Sequence, residues 1–225
     1  MALHDLTRPI EDGMATYPDD PSVAVSPHAR MDADGYRVSE LRLGTHAGTH
    51  VDAPSHVLAG GASLGEFDPE AFRFDAHVVD VSDLGARAEI PAEAVPATTA
   101  DLVLFYTGWA AHWGTDRYRA HPYLSRRAAE RCAGRGLAVG LDCFGPDPTP
   151  LAPGFVVETD RDDDAEPDLD GYGTPAHRAL LEKGCLILEN LVELDGLPER
   201  CSVTAHPLSV DADGAPARVV AETGE

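Results

Sequence analysis

The segment HAGTHVDAPSH, residues 46–56, is the stretch from which the fold and the chemistry of this chain are first predicted. Its glycine, its proline and its β-branched residues disfavour an α-helix, so we expect an extended, irregular strand. In an extended chain, alternate side chains point to the same side. Three histidines and one aspartate occupy even positions: His46, His50, Asp52 and His56. The spacing therefore predicts that these four polar side chains converge.

Such a set of side chains is typical of a metal site. Imidazole nitrogens and a carboxylate are the ligands that zinc prefers, and they also suit manganese or iron. Two histidines and one aspartate leave one position of a tetrahedral ion free for water, and a further histidine nearby can move protons. The alternative is a set of ordinary polar loop residues. The density of ligand-type residues in so short a segment favours the metal site.

Length and charge limit the classes of function. The 225 residues fit one α/β domain, and we expect a single domain over residues 1–225. With 17 basic and 39 acidic residues, the formal net charge of −22 argues against nucleic acid and anionic membranes as partners. Adaptation to high salt is a hypothesis for this acidity. The acidic stretch 160–170 is expected to be a solvated loop.

Other sequence features predict the location of the protein and the state of its thiols. No run approaches the roughly 20 apolar residues of a membrane span, and the N-terminus lacks the layout of a secretory signal. We therefore expect a cytoplasmic protein. Four scattered cysteines, without a C-x-x-C pair, are expected to be buried free thiols: Cys132, Cys143, Cys185 and Cys201.

The hydrophobic pattern predicts strands and two helices. The alternating residues 36–43 predict a half-buried strand that leads into the histidine segment. Aliphatic and β-branched runs predict buried strands at 76–81, 101–106, 137–143 and 185–191. A helix is expected over 126–133, capped by Ser125, and a second from Thr174 and Pro175 to Gly184. This order predicts an α/β fold with a mixed sheet and flanking helices.

Segment 46–56 also resembles the H-x-G-T-H-x-D-x-P-x-H signature of the cyclase-like metal-dependent hydrolases, a family that includes bacterial kynurenine formamidase and isatin hydrolase. It matches every fixed position. The similarity continues at residues 5–10 and 13–18, at 107–109 and 121–125, and at 139–142 and 188–191, and so covers nearly the whole chain. The resemblance implies a swivelling β/β/α-type, cyclase-like fold.

The resemblance also implies two divalent metal ions, Zn²⁺ in the first place and Mn²⁺ as the alternative. In this family, the residues that match His46, His50 and Asp52 bind the first metal, and the aspartate bridges to the second. A downstream histidine and a glutamate twelve residues later, here His177 and Glu189, complete the ligand set.

The residue that matches the family's catalytic proton carrier is His56. The pattern around Glu189 agrees with a ligand role, because this carboxylate follows an otherwise apolar strand and a buried carboxylate needs a cationic partner. Two divalent ions beside two carboxylates leave a net positive site, which lowers the pKa of bound water. The remaining histidines lack ligand-like spacing and are predicted to be structural: His4, His28, His77, His112, His121 and His206.

The family resemblance predicts an arylformamidase-like amidohydrolase that converts N-formylkynurenine to kynurenine and formate in tryptophan degradation. Tyr17 stands where kynurenine formamidases commonly place a tryptophan against the aromatic substrate. Phe144, Trp109 and Trp113 are further candidates for pocket walls, with core packing as the alternative. Two other functions stay open: hydrolysis of a cyclic amide such as isatin, and a metal-binding domain without catalysis. The family also implies a homodimer or a larger homo-oligomer.

Overall fold

The structure of the chain is a computed structural model that describes residues 1–156 and 173–224. The acidic stretch 160–170, for which a solvated loop is predicted, lies outside these residues. The strands are β1 Ala2–Asp5, β2 Ala24–Ala29, β3 Val38–Arg42, β4 His50–Asp52, β5 Arg73–Asp80, β6 Glu89–Ile90, β7 Leu102–Tyr106, β8 Tyr123–Leu124, β9 Ala138–Leu141, β10 Ile187–Glu189, β11 Arg200–Pro207 and β12 Gly214–Thr223. The α-helices are α1 Met31–Asp34, α2 Arg126–Ala133 and α3 Pro175–Leu181.

Within the described residues, seven strands close into a mixed barrel. Their order is β12-β11-β5-β7-β9-β10-β4, and β4 pairs a second time with β12. The strands from β5 through β7 and β9 to β10 run parallel, whereas β11, β12 and β4 pair antiparallel with their neighbours. β1 extends the sheet beside β12. The predicted mixed α/β fold with flanking helices is confirmed, and the closure of its sheet into a barrel is a feature that local patterns do not reveal.

The continuous apolar run of β7 shows how the core is built. Leu102 and Leu104 belong to the cluster that fills the barrel, while Val103 and Phe105 belong to a second cluster on the outer face. The outer cluster includes apolar residues of α2 and α3. Because β7 is buried on both faces, its sequence is hydrophobic at successive positions instead of alternating.

Successive side chains of a strand point to opposite faces, and this decides which side of the barrel carries the polar residues of the predicted site. Val51 of β4 and Leu188 of β10 lie in the cluster that fills the barrel. Since neighbouring side chains of a strand point to opposite faces, His50, Asp52 and Glu189 face outward. The four predicted buried strands correspond to β5, β7, β9 and β10, and the last two are shorter than predicted.

The prediction of a half-buried strand at residues 36–43 is wrong in its burial. A strand is present, β3, but all five of its residues are exposed. It pairs with β2 in a separate two-stranded sheet of the described chain. Its alternation of apolar and polar residues therefore does not correspond to a buried face in this protein.

Both predicted helices are present. The predicted N-terminal cap is found in α2 but not in α3. α2 spans the predicted residues, and the Ser125 hydroxyl accepts a hydrogen bond from the Ala128 backbone N–H at 3.2 Å. α3 begins after Thr174 as expected but ends at Leu181, three residues before the predicted end at Gly184. Its first turn is capped by the carboxylate of Asp147 and not by the Thr174 side chain. That carboxylate accepts from the backbone N–H groups of Ala176 and His177 at 2.8 and 2.9 Å.

The cysteine prediction is confirmed for three residues: Cys132, Cys143 and Cys185 are buried free thiols, while Cys201 is free and partly buried. Among the described residues, no helix has both the length and the apolar character needed to cross a membrane.

His121 yields a prediction about stability. Its fully buried ring contacts the Pro122 carbonyl and the Thr149 hydroxyl, both at 2.8 Å. Burial lowers the pKa of His121 from 6.5 to about 4. Between these two pH values the unfolded chain binds a proton at His121 and the folded chain does not. The free energy of unfolding therefore decreases as the pH is lowered. His121 accounts for about 2 kcal/mol of this decrease between pH 7 and pH 5.

We expect His121→Gln, which cannot titrate, to be less stable than the wild type at pH 7. The difference between their free energies of unfolding should be about 2 kcal/mol smaller at pH 5. Urea unfolding of both proteins with a chelator at each pH measures this difference. A difference that is independent of pH contradicts the prediction.

Candidate metal centre

The histidine segment is not one continuous strand. Residues 44–49 are irregular, β4 covers His50–Asp52, and a 3₁₀ turn follows at Pro54–His56. The predicted convergence of side chains is nevertheless found, since the rings of His46 and His56 lie 4.0 Å apart between centroids. A turn, and not an extended strand, brings His56 back to the site.

The chain before β4 is held in place by its glycine and threonine. Gly48 has a φ of +65°, and a Cβ at this position would lie 2.9 Å from the side chain of Ile10. The Thr49 hydroxyl donates to the Asn190 carbonyl at 2.7 Å, and the Asn190 side-chain amide donates to the Gly48 carbonyl at 3.0 Å. These bonds tie residues 46–50 to the chain that follows β10.

Asp52 lies at the centre of the polar cluster and is fully buried. Its Oδ1 is 2.8 Å from His46 Nδ1 and 3.2 Å from His50 Nε2, while its Oδ2 is 3.6 Å from His177 Nε2. Three histidines from two distant parts of the sequence therefore face one carboxylate.

Glu189 is the second carboxylate of the cluster. β10 pairs with β4 so that Glu189 lies opposite His50, and Glu189 Oε2 is 3.3 Å from His50 Nε2. Its other oxygen, Oε1, is 3.1 Å from His177 Nε2. The structure thus brings together all five residues for which a metal-ligand role is predicted.

Hydrogen bonds behind the rings orient two of the histidines. His50 Nδ1 donates to the Gly48 carbonyl at 2.9 Å, and His177 Nδ1 donates to the Asp147 carboxylate at 2.7 Å. In both rings, Nε2 is then the nitrogen that faces the carboxylates. A histidine that binds a metal through one nitrogen commonly donates through the other to a carbonyl or carboxylate, as these two do.

The pKa values of the cluster reflect its mutual charges. Burial alone would lower the pKa of His50, but Asp52 and Glu189 beside the ring raise it to about 10. Burial alone would raise the pKa of Asp52, but His50 and His46 hold it well below its usual value. Protons on the imidazoles balance the buried carboxylates, and a divalent cation held by the same atoms would balance them in their place.

Two buried atoms show that the donor set fits a metal ion. Within the described chain, His50 Nε2 and Asp52 Oδ2 make no hydrogen bond, although both are buried. The nearby carboxylate oxygens lie within salt-bridge distance of His50 Nε2 but outside the geometry of a hydrogen bond. An unpaired polar atom in a protein interior is costly, and coordination of a cation would satisfy both atoms.

Potential ligand atoms fall into two groups that share Asp52, each with its atoms within 4.8 Å of one another. Among the described residues, one group is His46, Asp52 and His56, and the other is His50, Asp52 and Glu189. His56 therefore lies close enough to Asp52 to be a ligand or a neighbouring proton carrier, and the division of roles stays a prediction.

Sequence reasoning missed residues that only the folded chain brings to the site. Asp213 Oδ2 lies 3.0 Å from His46 Nε2 and 3.4 Å from His56 Nδ1. Asp147 both caps α3 and holds His177. No spacing rule links these aspartates to the histidine segment, and neither is distinguishable in sequence from the chain's many other acidic residues.

The cluster borders a cavity of about 200 Å³. Its lining includes His46, His50, His56, His177, Glu189, Tyr17, Asp20, Phe144, Gly145 and Asn190. The rings of Tyr17 and Phe144 meet edge to face at 5.6 Å between centroids and form an aromatic wall. Trp109, by contrast, is buried in the core, and Trp113 packs against the same core cluster. Neither tryptophan lines this cavity.

Comparison with known proteins identifies the family of this chain. The model of the family Cyclase, described as "Putative cyclase", matches residues 4–148. The chain belongs to the Cyclase family. A kynurenine formamidase of Salinibacter ruber (strain DSM 13855 / M31) is 32% identical to this Cyclase-family chain over 226 residues, which cover 98% of the chain and 97% of the relative.

Solved structures show the same fold. An isatin hydrolase bound to the product analogue thioisatinate matches with a TM-score of 0.81 and 22% identity, over 99% of this chain and 92% of that one. A structure described as "Potential Metal-Dependent Hydrolase With Cyclase Activity" matches with a TM-score of 0.73 and 25% identity, over 98% and 96%. Together with the curated relative, these likenesses support a hydrolase of the Cyclase family.

Gly145 provides a test of the cluster. A Cβ at this position would overlap the Glu189 carboxylate, whose far end must then move. We expect Gly145→Ala to weaken zinc binding by about 10-fold or more, because Glu189 loses its position, with little change in the melting temperature of the metal-free protein. Gly196→Ala is the control, since no atom lies within 4 Å of its added Cβ. Equal zinc affinity in both variants contradicts the prediction.

Proposed function

We propose that this protein hydrolyses a small aromatic amide, and that its reaction is the conversion of N-formylkynurenine to kynurenine and formate in tryptophan degradation. The observation that carries the proposal is the buried cluster of imidazoles and carboxylates beside a cavity with an aromatic wall. The similarity to a curated kynurenine formamidase supports the choice of substrate. A cavity of about 200 Å³ is smaller than a typical site for a drug-sized ligand and suits a small substrate.

The metal-ligand roles are part of the proposal. His46, His50, Asp52, His177 and Glu189 hold two divalent ions, Zn²⁺ or, as the alternative, Mn²⁺. Their short contacts and the unpaired buried atoms support this assignment. When bound, such ions polarise a carbonyl and lower the pKa of water near neutrality.

The side chains around the cluster complete the reaction. Water oxygen adds to the formyl carbon as His56 takes up one of the two water protons. The carbon–nitrogen bond breaks, the amine nitrogen takes up that proton, and the second water proton goes to solvent as formate leaves. His56 lines the cavity and is the group that delivers the proton to the amine. Tyr17 and Phe144 bind the aryl ring and exclude water from one side of the amide.

Substitution of two histidines separates proton transfer from metal binding. His56→Ala is expected to keep most of its zinc and to lose kcat by about 100-fold or more, because it removes a proton carrier. His50→Ala is expected to lose zinc as well as activity. Metal analysis and steady-state kinetics measure both effects. His28→Ala, which changes an exposed residue of β2, is the control. Equal loss of zinc in the two site variants contradicts this division of roles.

Tyr17 is expected to contribute to substrate binding through its ring. Tyr17→Ala should raise the KM for N-formylkynurenine by about 10-fold, whereas Tyr17→Phe, which keeps the ring, should stay within about 2-fold. Tyr36→Ala removes an exposed ring outside the cavity and serves as the control. If Tyr17→Ala has the KM of the wild type, Tyr17 does not contact the substrate.

Two other readings can be distinguished in one assay. Opening of the isatin ring would use the same cluster, since it also breaks a carbon–nitrogen bond of an aryl amide. A metal-binding domain without catalysis would bind zinc and hydrolyse neither compound. Purified protein loaded with Zn²⁺ or Mn²⁺ and tested on N-formylkynurenine and on isatin separates these outcomes. Metal binding without hydrolysis of either compound overturns the proposed activity.

Further predictions about the whole molecule belong to the same proposal. They are a single domain over residues 1–225, a swivelling β/β/α-type fold, a homodimer or larger homo-oligomer, and a cytoplasmic location. The shared fold of the solved relatives supports the first two.

A further inference from the structure

Asp213 makes contacts that suggest a role in the site. One of its carboxylate oxygens, Oδ2, lies 3.0 Å from His46 Nε2 and 3.4 Å from His56 Nδ1. The two histidines belong to the same short segment, whereas Asp213 comes from the connection between β11 and β12. A single carboxylate oxygen therefore faces the rings of a proposed metal ligand and of the proposed proton carrier.

The position of Asp213 is set by the closure of the barrel. Its backbone carbonyl accepts a hydrogen bond from the Ala53 N–H at 2.9 Å, and the next residue, Gly214, pairs with Asp52. A Cβ at Gly214 would lie 2.6 Å from His46 Cε1, so only glycine lets β12 approach the His46 ring this closely. The main chain at Asp213 and Gly214 is thus fixed against β4 and against Ala53, the residue that follows it.

With Asp213, every histidine proposed as a ligand has an acceptor behind its ring. The acceptor is the Gly48 carbonyl for His50, Asp147 for His177 and Asp213 for His46. A carboxylate can only accept hydrogen bonds, so the ring nitrogen that faces it carries the proton. In His46 the other nitrogen, Nδ1, lies 2.8 Å from Asp52 Oδ1, so Nδ1 is the atom that would exchange its proton for a metal ion shared with Asp52.

The same reasoning applies to the ring of His56. A proton on Nδ1, donated to Asp213, leaves the lone pair on Nε2. That nitrogen is then free to take a proton and pass it on. A buried or half-buried carboxylate that fixes the tautomer and orientation of a catalytic imidazole is a recurrent device in hydrolases.

We infer that Asp213 is a positioning residue that holds His46 as an Nδ1 ligand and His56 as an Nε2 proton carrier. The inference rests on the proposed function for the role of His56, but its structural part concerns only hydrogen bonds of this chain. Asp213 couples metal binding to proton transfer, because one oxygen orients both rings.

The experiment compares Asp213→Ala and Asp213→Asn with a matched control, Asp211→Asn. Asp211 lies on the same connection and is hydrogen-bonded to Ser63 instead of a histidine, so its variant removes a charge there without touching either ring. Zinc affinity is measured by competition with a chromogenic chelator. We expect Asp213→Ala to bind zinc about 10- to 100-fold more weakly. Asp213→Asn, which keeps a neutral acceptor, should lose no more than about 5-fold.

Two further measurements separate positioning from a general structural effect. At saturating metal, Asp213→Ala should lower kcat for N-formylkynurenine by about 10-fold or more with KM within about 2-fold. Long-range ¹H–¹⁵N spectra of the imidazoles should show His56 protonated on Nδ1 in the wild type and a mixture of tautomers in Asp213→Ala.

Zinc affinity and kcat that change equally in Asp213→Ala and Asp211→Asn overturn the inference, and so do unchanged tautomers in Asp213→Ala. The affinity and tautomer measurements need no substrate. If the wild type hydrolyses no amide, the proposed function fails while these two readouts still decide the role of Asp213. If the wild type binds no zinc, the tautomer of His56 in the metal-free proteins decides it.

Discussion

The buried carboxylate of Asp52 restricts how the chain can fold around the polar cluster. Removal of an ionised carboxylate from water costs several kcal/mol unless cationic groups and hydrogen bonds compensate it. Asp52 is fully buried, and its oxygens face His46, His50 and His177. The fold must therefore bring residue 177 to residues 46–52, and the closed barrel achieves this. β4 lies between β10 and β12, so that the backbone around Asp52 is paired on both sides.

The same side chains position the cluster and stabilise the fold. Asp147 caps the first turn of α3 and also holds the ring of His177, so the helix terminus and the orientation of this histidine depend on one carboxylate. Thr49 and Asn190 likewise join the irregular chain before β4 to the end of β10. These hydrogen bonds restrict the movement of the side chains that form the cluster.

The aromatic side of the cavity continues into the core. Phe144 contacts Tyr17 at the cavity and packs against Tyr118 behind it, with ring centroids 5.6 and 4.6 Å apart. Phe144 is thus both a pocket wall and a core residue, and the two roles predicted for it are compatible. Tyr17 itself is partly exposed.

Composition and spacing alone predict a cluster of ligand-type residues and the main buried strands. Ligand-type residues at fixed spacing identify the segment around His50, and continuous apolar runs identify strands such as β7, because composition and period are local properties. α2 was predictable to the residue, since Ser125 supplies its cap. The family resemblance added His177 and Glu189, and the structure brings them to Asp52.

Contacts between distant parts of the chain come from the closure of the barrel. Asp213 reaches His46 because β12 closes the barrel against β4, and no local pattern records that closure. The cap of α3 comes from Asp147 for the same reason. β3 shows the opposite error: its alternation resembles that of a half-buried strand, yet its residues are exposed. Burial depends on what the fold places against a strand, and a strand's own residues do not contain that information.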